Sequence, residues 1–474
     1  SAVGSLHVPH RTLLMRGGWA LFVATGLMFH DGQAHLGSPS MLKPMRTTWH
    51  LGRAPITGRR LTRVQAATDN GEKFSFTEYV SNLFKGQAAQ GEAEIKARDA
   101  AGPAPSSPET RWNWWFVLPT QPGEYRPTIK TEVVPGQVWT FEQMHGAINI
   151  LVNMRMTVLK VKGGLLVYSP VAPTKDVMEK VKELESVHGP VKYILLPTQA
   201  AEHKVFFGPF ARGFPDAELW ACPGQWSWPI PLPLSALGLG LGRQVHVLGQ
   251  GQSGFQDDVE VGVIGPFLVS KRESASLYSN KPGFGEVSIY HKPSRSLMVT
   301  DTLVYVDREP PRICQQDPVG LLFHARDREG DAIANTEEKR LEGWAKITLL
   351  ALYILPGCLD ISNPRESFIW TNWQSSFEAT SETLMAAPFL RQLVFRRYQD
   401  QIKSWIEKLR QWDIERVVPA HFSIAEGVTT PEVVGAVEMA LDPGSLSGSD
   451  SGDMKFLVDV DALFEKAGIL PEDK

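Results

Sequence analysis

The stretch from Ala147 to Leu196 most narrows what this chain can fold into. Ala147 to Val161 alternates and is rich in Val, Ile and Leu, the pattern of a half-buried strand. Gly163-Gly164 supplies a turn into a second strand, Leu165 to Tyr168. From Lys175 to His188 the period changes: Val177, Val181 and Leu184 fall on one helical face, with charges opposite. Gly189-Pro190 stops that helix, and Lys192 to Leu196 reads as a short buried strand. Strand, hairpin, helix and strand in that order predict a layered α/β domain.

The rest of the chain divides around this core. Strands are expected at 244–248, 259–269, 285–290 and 296–306, and a long helical zone at 376–412. In that zone Arg391, Arg396, Arg397, Lys403, Lys408 and Arg410 make a basic stripe, read as a solvated face. Glu415 to Pro419 reads as a last strand, and Asp442 to Asp453 as a linker before a small terminal helix. Residues 68–136 read as an irregular arm, with a short helix at Phe74 to Phe84 and a flexible linker from Lys96 to Thr110. The RWNWWF run at 111–116 is too aromatic for water and is expected to dock on the main domain or a partner. The domains expected are thus 1–67, 68–136, 137–430 and 431–474.

The first 67 residues hold eight Arg or Lys and one acid, Asp31. That acid-poor, Arg-rich bias is typical of an organelle transit peptide, so a presequence cleaved near residues 64–70 is expected. The place implied is a plastid (chloroplast), in the stroma or at the thylakoid surface. The apolar runs Trp19 to Phe29 and Ile347 to Leu355 fall short of the roughly 18–20 residues needed to span a bilayer. No transmembrane helix is expected, and peripheral membrane contact stays open. A net charge of −4 exerts no general pull on nucleic acid, and the aromatic groups lack the interleaved cations that stack bases. Cys222, Cys314 and Cys358 lie far apart, which argues against a disulfide framework and against a thiolate metal site.

Sites in open α/β layers collect at the carboxyl ends of strands. Four polar residues fit that placement: His203 after the strand at 192–196, His291 after 285–290, Asp301 after 296–300, and His421 after 415–419. Imidazoles and a carboxylate are the ligand types for one zinc or iron ion. His291 is the fourth ligand or a neighbour that orients the others, and Glu202 is the candidate general base. Other signals fall away. GQGQSG at 249–254 leads into a strand-like run instead of the helix a dinucleotide site requires, and GLGLGR lacks the Lys and Ser/Thr of a phosphate loop.

The order of these segments resembles a metallo-β-lactamase-type domain. Ala147 to Ser169 is similar to its opening hairpin, PTQAAEH to the loop of its HxHxDH motif, YHKPSRSLMVTD to the strand ending in its bridging aspartate, and VPAHF to its final histidine. More narrowly, YHKPSRSL…TD and EHKVFFGPF…FPDAELWACPG resemble a family of unknown function found in cyanobacteria and plastids. The resemblance covers about residues 137–425 and implies an αββα sandwich with a metal site. If Glu202-His203 closes the motif, Thr198 and Ala200 stand where two further histidines are expected. The resulting expectation is a binding or assembly partner of a plastid complex with little hydrolase activity. The alternative is a mononuclear metal-dependent hydrolase of a small ester, thioester or phosphoester.

Overall fold

The structure is a computed structural model. It describes residues 87–112, 121–147, 149–227, 239–240, 242–268, 283–328, 330–361, 369–442 and 452–466, with residues 234 and 470 and the strand backbone of 65–67 and 73–75. Most of the presequence-like segment, residues 76–84 of the helix expected at 74–84 and residues 113–116 of the aromatic run lie outside the described residues, while Phe74 and Ser75 belong to a short strand, Lys73–Ser75, and not to a helix. No helix among the described residues is long and apolar enough to cross a membrane.

A helix, α1 (Gln87–Ala101), precedes the main body. Its Ala-rich sequence favours helix, and Ala93 and Ala97, one turn apart, are buried in the core. Arg98 ties it to Asp317 at 2.7 Å. The first six residues of the expected linker at 96–110 are therefore helical.

The first sheet has seven strands in sequential order: β1 (Ile129–Val134), β2 (Val138–Ala147), β3 (Ile150–Val161), β4 (Gly164–Tyr168), β5 (Val191–Leu196), β6 (Glu218–Ala221) and β7 (Val245–Val247). The pairs up to β4 are antiparallel and those after it parallel. Two helices serve the parallel half, α2 (Lys175–His188) between β4 and β5 and α3 (Ala201–Ala211) between β5 and β6. Thr174 caps α2 through a hydrogen bond from Val177 N, and Gly189 ends it at φ 92°, a conformation suited to glycine. All five residues of β4 are buried, as expected for a strand covered on both faces.

The second sheet runs β8 (Val259–Leu268), β9 (Gly283–His291), β10 (Ser296–Met298), β11 (Arg416–Val418) and β12 (Ala425–Glu426), in that spatial order. Only β10 and β11 pair in parallel. Between the sheets, Leu159, Leu166, Tyr168 and Leu195 meet Val287, Ile289, Met298 and Val418. On the outer face of the first sheet, Val167 and Ile194 pack with Val177 and Val181 of α2 and Phe206 and Phe210 of α3. On the outer face of the second lie three helices, α4 (Val319–His324), α5 (Glu337–Tyr353) and α6 (Gln399–Leu409), whose Leu322, Trp344, Ile347 and Trp405 pack with Leu297 and Val299. The layers are helix, sheet, sheet, helix, so the fold is an α/β sandwich.

Several expectations change here. The helical zone at 376–412 is broken into helices Trp373–Thr380, Pro388–Leu393 and α6, with a strand Met385–Ala386 between the first two. Pro388 accounts for one break, because the residue before a proline avoids the helical region. Much of the basic stripe is paired within the chain: Arg397 is buried against Asp461 of α7 (Lys455–Lys466), and Lys408 and Arg410 meet Glu260 and Glu438. The apolar run in α5 is core, with Ile347 and Leu349 fully buried.

Where α4 and α5 cross, Gly343 admits no side chain: a Cβ there would lie 1.8 Å from the Leu321 carbonyl oxygen. Gly343→Ala is expected to push the helices apart and cost about 2–3 kcal/mol, the upper range for overpacking. Denaturant unfolding measures it, and a loss under about 0.5 kcal/mol would contradict the packing described.

Candidate metal centre

Three chain segments deliver the site. The chain leaves β5 at Leu196, and His203 stands in the first turn of α3. It leaves β10 at Met298, and Asp301 follows in a short loop. It leaves β11 at Val418, and His421 follows in another. One ligand atom from each of His203, Asp301 and His421 lies within 4.8 Å of the others. His421 Nε2 is 3.5 Å from Asp301 Oδ1, and the two imidazole rings cross edge to face with centroids 5.3 Å apart.

The outer ring nitrogens are held. His421 Nδ1 donates to the Asn153 carbonyl oxygen at 2.9 Å, which leaves the Nε2 lone pair facing Asp301. His203 Nδ1 shares a hydrogen bond with Ser169 Oγ at 2.7 Å. Inside the group, His203 Nε2 and Asp301 Oδ2 are buried with no hydrogen-bond partner among the described residues. Buried polar atoms are rarely left so, and a bound ion or water is the usual partner of such a pair. Two imidazoles and a carboxylate with inward-facing lone pairs fit a zinc or iron ion.

Electrostatics agrees with that fit. Burial, with His421 and His145 nearby, pushes the His203 pKa well down, and burial takes His421 down to about 4. Both rings are thus neutral ligands at physiological pH. Burial raises Asp301 to about 6, and burial plus the Asp301 charge raises Glu202 to about 8.

These shifts set a pH dependence. Without an ion, the raised Asp301 pKa gives stability that is full below its ordinary value of 3.8 and is lost as pH rises through about 6. The depressed His421 acts oppositely: its contribution is present above 6.5 and lost as pH falls through about 4. A bound ion needs Asp301 ionised and both rings neutral, so the rise in Tm caused by zinc is expected to grow between about pH 5 and about pH 7. Melting curves with and without zinc check this; an equal rise at both values contradicts it.

His291 is placed elsewhere. Its Nδ1 is engaged with Ser294 Oγ at 2.6 Å and its Nε2 with the Lys160 carbonyl oxygen at 2.8 Å. It sits five residues along β9 from Glu286, which contacts the Asp301 loop, so about 16 Å of strand separates the two. It is a satisfied buried histidine and not the expected fourth ligand. Glu202 is in the first turn of α3 beside His203, outside the group of three.

Other residues around the site carried weaker signals. His145 on β2 is buried, and its charge would be felt by His203, with Phe206 edge-on at 6.0 Å. Glu286 on β9 is fully buried and accepts four hydrogen bonds of 2.7–2.9 Å, from the backbone N–H groups of Thr300, Asp301 and Thr302 and the Thr302 hydroxyl. It pins the loop that presents Asp301 and interrupts the strand expected at 296–306. Asn153 and Arg155 on β3, with Glu142 on β2, grip residues 419–422 and so place His421. An acid amid the apolar run of GFGEVSIYH was the available sign of Glu286.

Fold and site together define a layered α/β protein with one buried His–Asp–His group at the carboxyl ends of its strands. A family model described as Domain of unknown function (DUF4336) matches residues 135–438, well over half of the chain, and the chain belongs to that family. No curated protein matches it. Among solved structures it is similar to the metal-soaked Flv1 flavodiiron core from Synechocystis sp. PCC6803, at 10% identity and a TM-score of 0.35, with 67% of this chain and 61% of that chain covered. A flavodiiron protein mutant from Thermotoga maritima gives 11% identity and 0.34, with 66% and 63% covered. The DIM-1 metallo-β-lactamase gives 10% identity and 0.30, with 67% and 100% covered. The chain thus spans under two thirds of the flavodiiron structures it matches. Likeness at this level leaves the chemistry to be argued from this chain's own residues.

Proposed function

We propose that this chain is a single-ion metalloprotein, with His203, Asp301 and His421 holding one zinc or iron ion, acting as a hydrolase of a small ester, thioester or phosphoester. The observation that carries the reading is the convergence of three ligand atoms within 4.8 Å. A divalent ion in that place supplies Lewis acidity and an acidified water. Ser169 and Asn153 orient the two imidazoles. Glu202 takes or returns a proton at its carboxylate: burial keeps it protonated at neutral pH, and a cation beside it would favour release.

A second reading rests on positions 198 and 200. Thr198 is fully buried with its hydroxyl on Ala200 N, and neither residue offers an imidazole for a second ion. On that reading turnover is slow, and the chain serves as a binding or assembly partner of a plastid complex.

Metal analysis of the purified protein with a panel of ester, thioester and phosphoester substrates separates the two. The hydrolase reading expects one ion per chain and metal-dependent turnover abolished in His203→Ala and Asp301→Ala while the fold survives. One ion with no turnover supports the binding reading. Wild-type protein that holds no zinc or iron removes both metal-based statements.

A further inference from the structure

Arg126 has an unusual situation for a cation. It is 1% exposed, yet among the described residues its Nη1 and Nη2 reach only the carbonyl oxygens of Met144 and Pro122, each at 3.4 Å. Its Nε has no acceptor among the described residues. The chain pairs other buried guanidinium groups with carboxylates: Arg155 with Glu142, and Arg397 with Asp461 and Glu465. Arg126 has no such partner among the described residues, and burial alone pulls its pKa down to about 10, so it stays charged at neutral pH.

Its surroundings lead toward the site. The guanidinium carbon lies 5.4 Å from the centroid of Phe206, and His145 meets the same ring edge-on at 6.0 Å. Phe206 follows His203 by three residues on α3, so the two share a helix face. The amino end of α3, where His203 stands in the first turn, adds partial positive charge on the side of the metal group.

We propose that Arg126, with His145 and Phe206 beside it, binds the oxyanion group, a carboxylate or phosphoryl, of a small ligand next to the His203–Asp301–His421 group. The planar guanidinium offers Nε and Nη as a fork matched to two oxyanion oxygens. For the hydrolase reading, on which this extension rests, the substrate class becomes an anionic ester or thioester. Anion binding itself needs no metal.

The test is calorimetric titration of metal-free, full-length protein with inorganic phosphate and, separately, with acetate. Wild type and His203→Ala are expected to bind phosphate or acetate alike, while Arg126→Met binds at least tenfold more weakly. Arg126→Lys keeps the charge but not the fork, and is expected to fall between them. In phosphate-free buffer, Arg126→Met is expected to melt no lower than wild type, since it removes an unpaired buried charge. No saturable binding by wild type, or equal binding by Arg126→Met, overturns the proposal. So does an Arg126→Met variant that melts lower by the same amount with and without phosphate, since Arg126 then acts only by packing on Phe206. Should Arg126→Met not fold, undiminished binding by Arg126→Lys overturns it. Zinc binding is measured on the same samples: its loss in His203→Ala with phosphate binding intact supports both sites, and its absence from wild type defeats the metal reading alone.

Discussion

Arg155→Met is expected to lower the unfolding free energy by about 3–5 kcal/mol, the cost of breaking a buried ion pair from one side. Arg155 is 4% exposed and lies 2.5 Å from Glu142, and it also donates to the Pro419 and Phe422 carbonyl oxygens. Methionine fills similar volume but leaves Glu142, whose side chain is only 13% exposed, with Asn153 Nδ2 as its remaining side-chain partner among the described residues. The loop bearing His421 loses two of its anchors, so zinc affinity should fall along with stability. Denaturant unfolding and zinc titration measure the two effects. A second change, Glu142→Leu, should restore part of the stability but not the zinc affinity. A loss under about 1 kcal/mol in the single variant would show that the grip is ornamental.

Glu286→Gln is expected to cost about 3 kcal/mol or more, despite its near-identical shape, because unsatisfied buried donors each cost about 1–3 kcal/mol. All four groups facing the carboxylate donate, and three are backbone N–H groups that cannot reverse. A glutamine amide turns an NH2 toward two of them. Burial and the Asp301 charge push Glu286 up to about 7, while the hydrogen bonds from the Asp301 N–H, the Thr302 hydroxyl and the Thr300 N–H pull the other way. The expected result is a displaced 300–302 loop and weakened zinc binding, seen as a lower Tm and a raised zinc Kd. A variant as stable as wild type at pH 7 would mean that Glu286 is normally protonated there.

How much of this was legible in the sequence depends on what each residue does. The helix at Lys175–His188 is bounded as its period and Gly189-Pro190 foretold, because local signals decide it. His203, Asp301 and His421 come together because each follows a strand, which periodicity reveals. His291 also follows a strand, but at the opposite end of β9, and strand exit alone does not say which end faces the site. His145 and Glu286 escaped for another reason: they lie within strands, where a polar residue on a covered face looks like one in water. Arg155 and Asn153 act on residues more than 260 positions away, a partnership no local pattern records.

That separation gives the molecule a built-in order of assembly. The site takes one residue from the middle of the first sheet's half of the chain, one from the second sheet and one from beyond β11. Closing contacts so distant in sequence is slow, because a long loop must be ordered before any of them forms. A chain emerging from synthesis can complete its first sheet and both of that sheet's helices while still unable to hold an ion, because residues 416–423 have yet to arrive. Ion capture would then be a late event, and metal content would report the fraction of molecules whose two halves have closed.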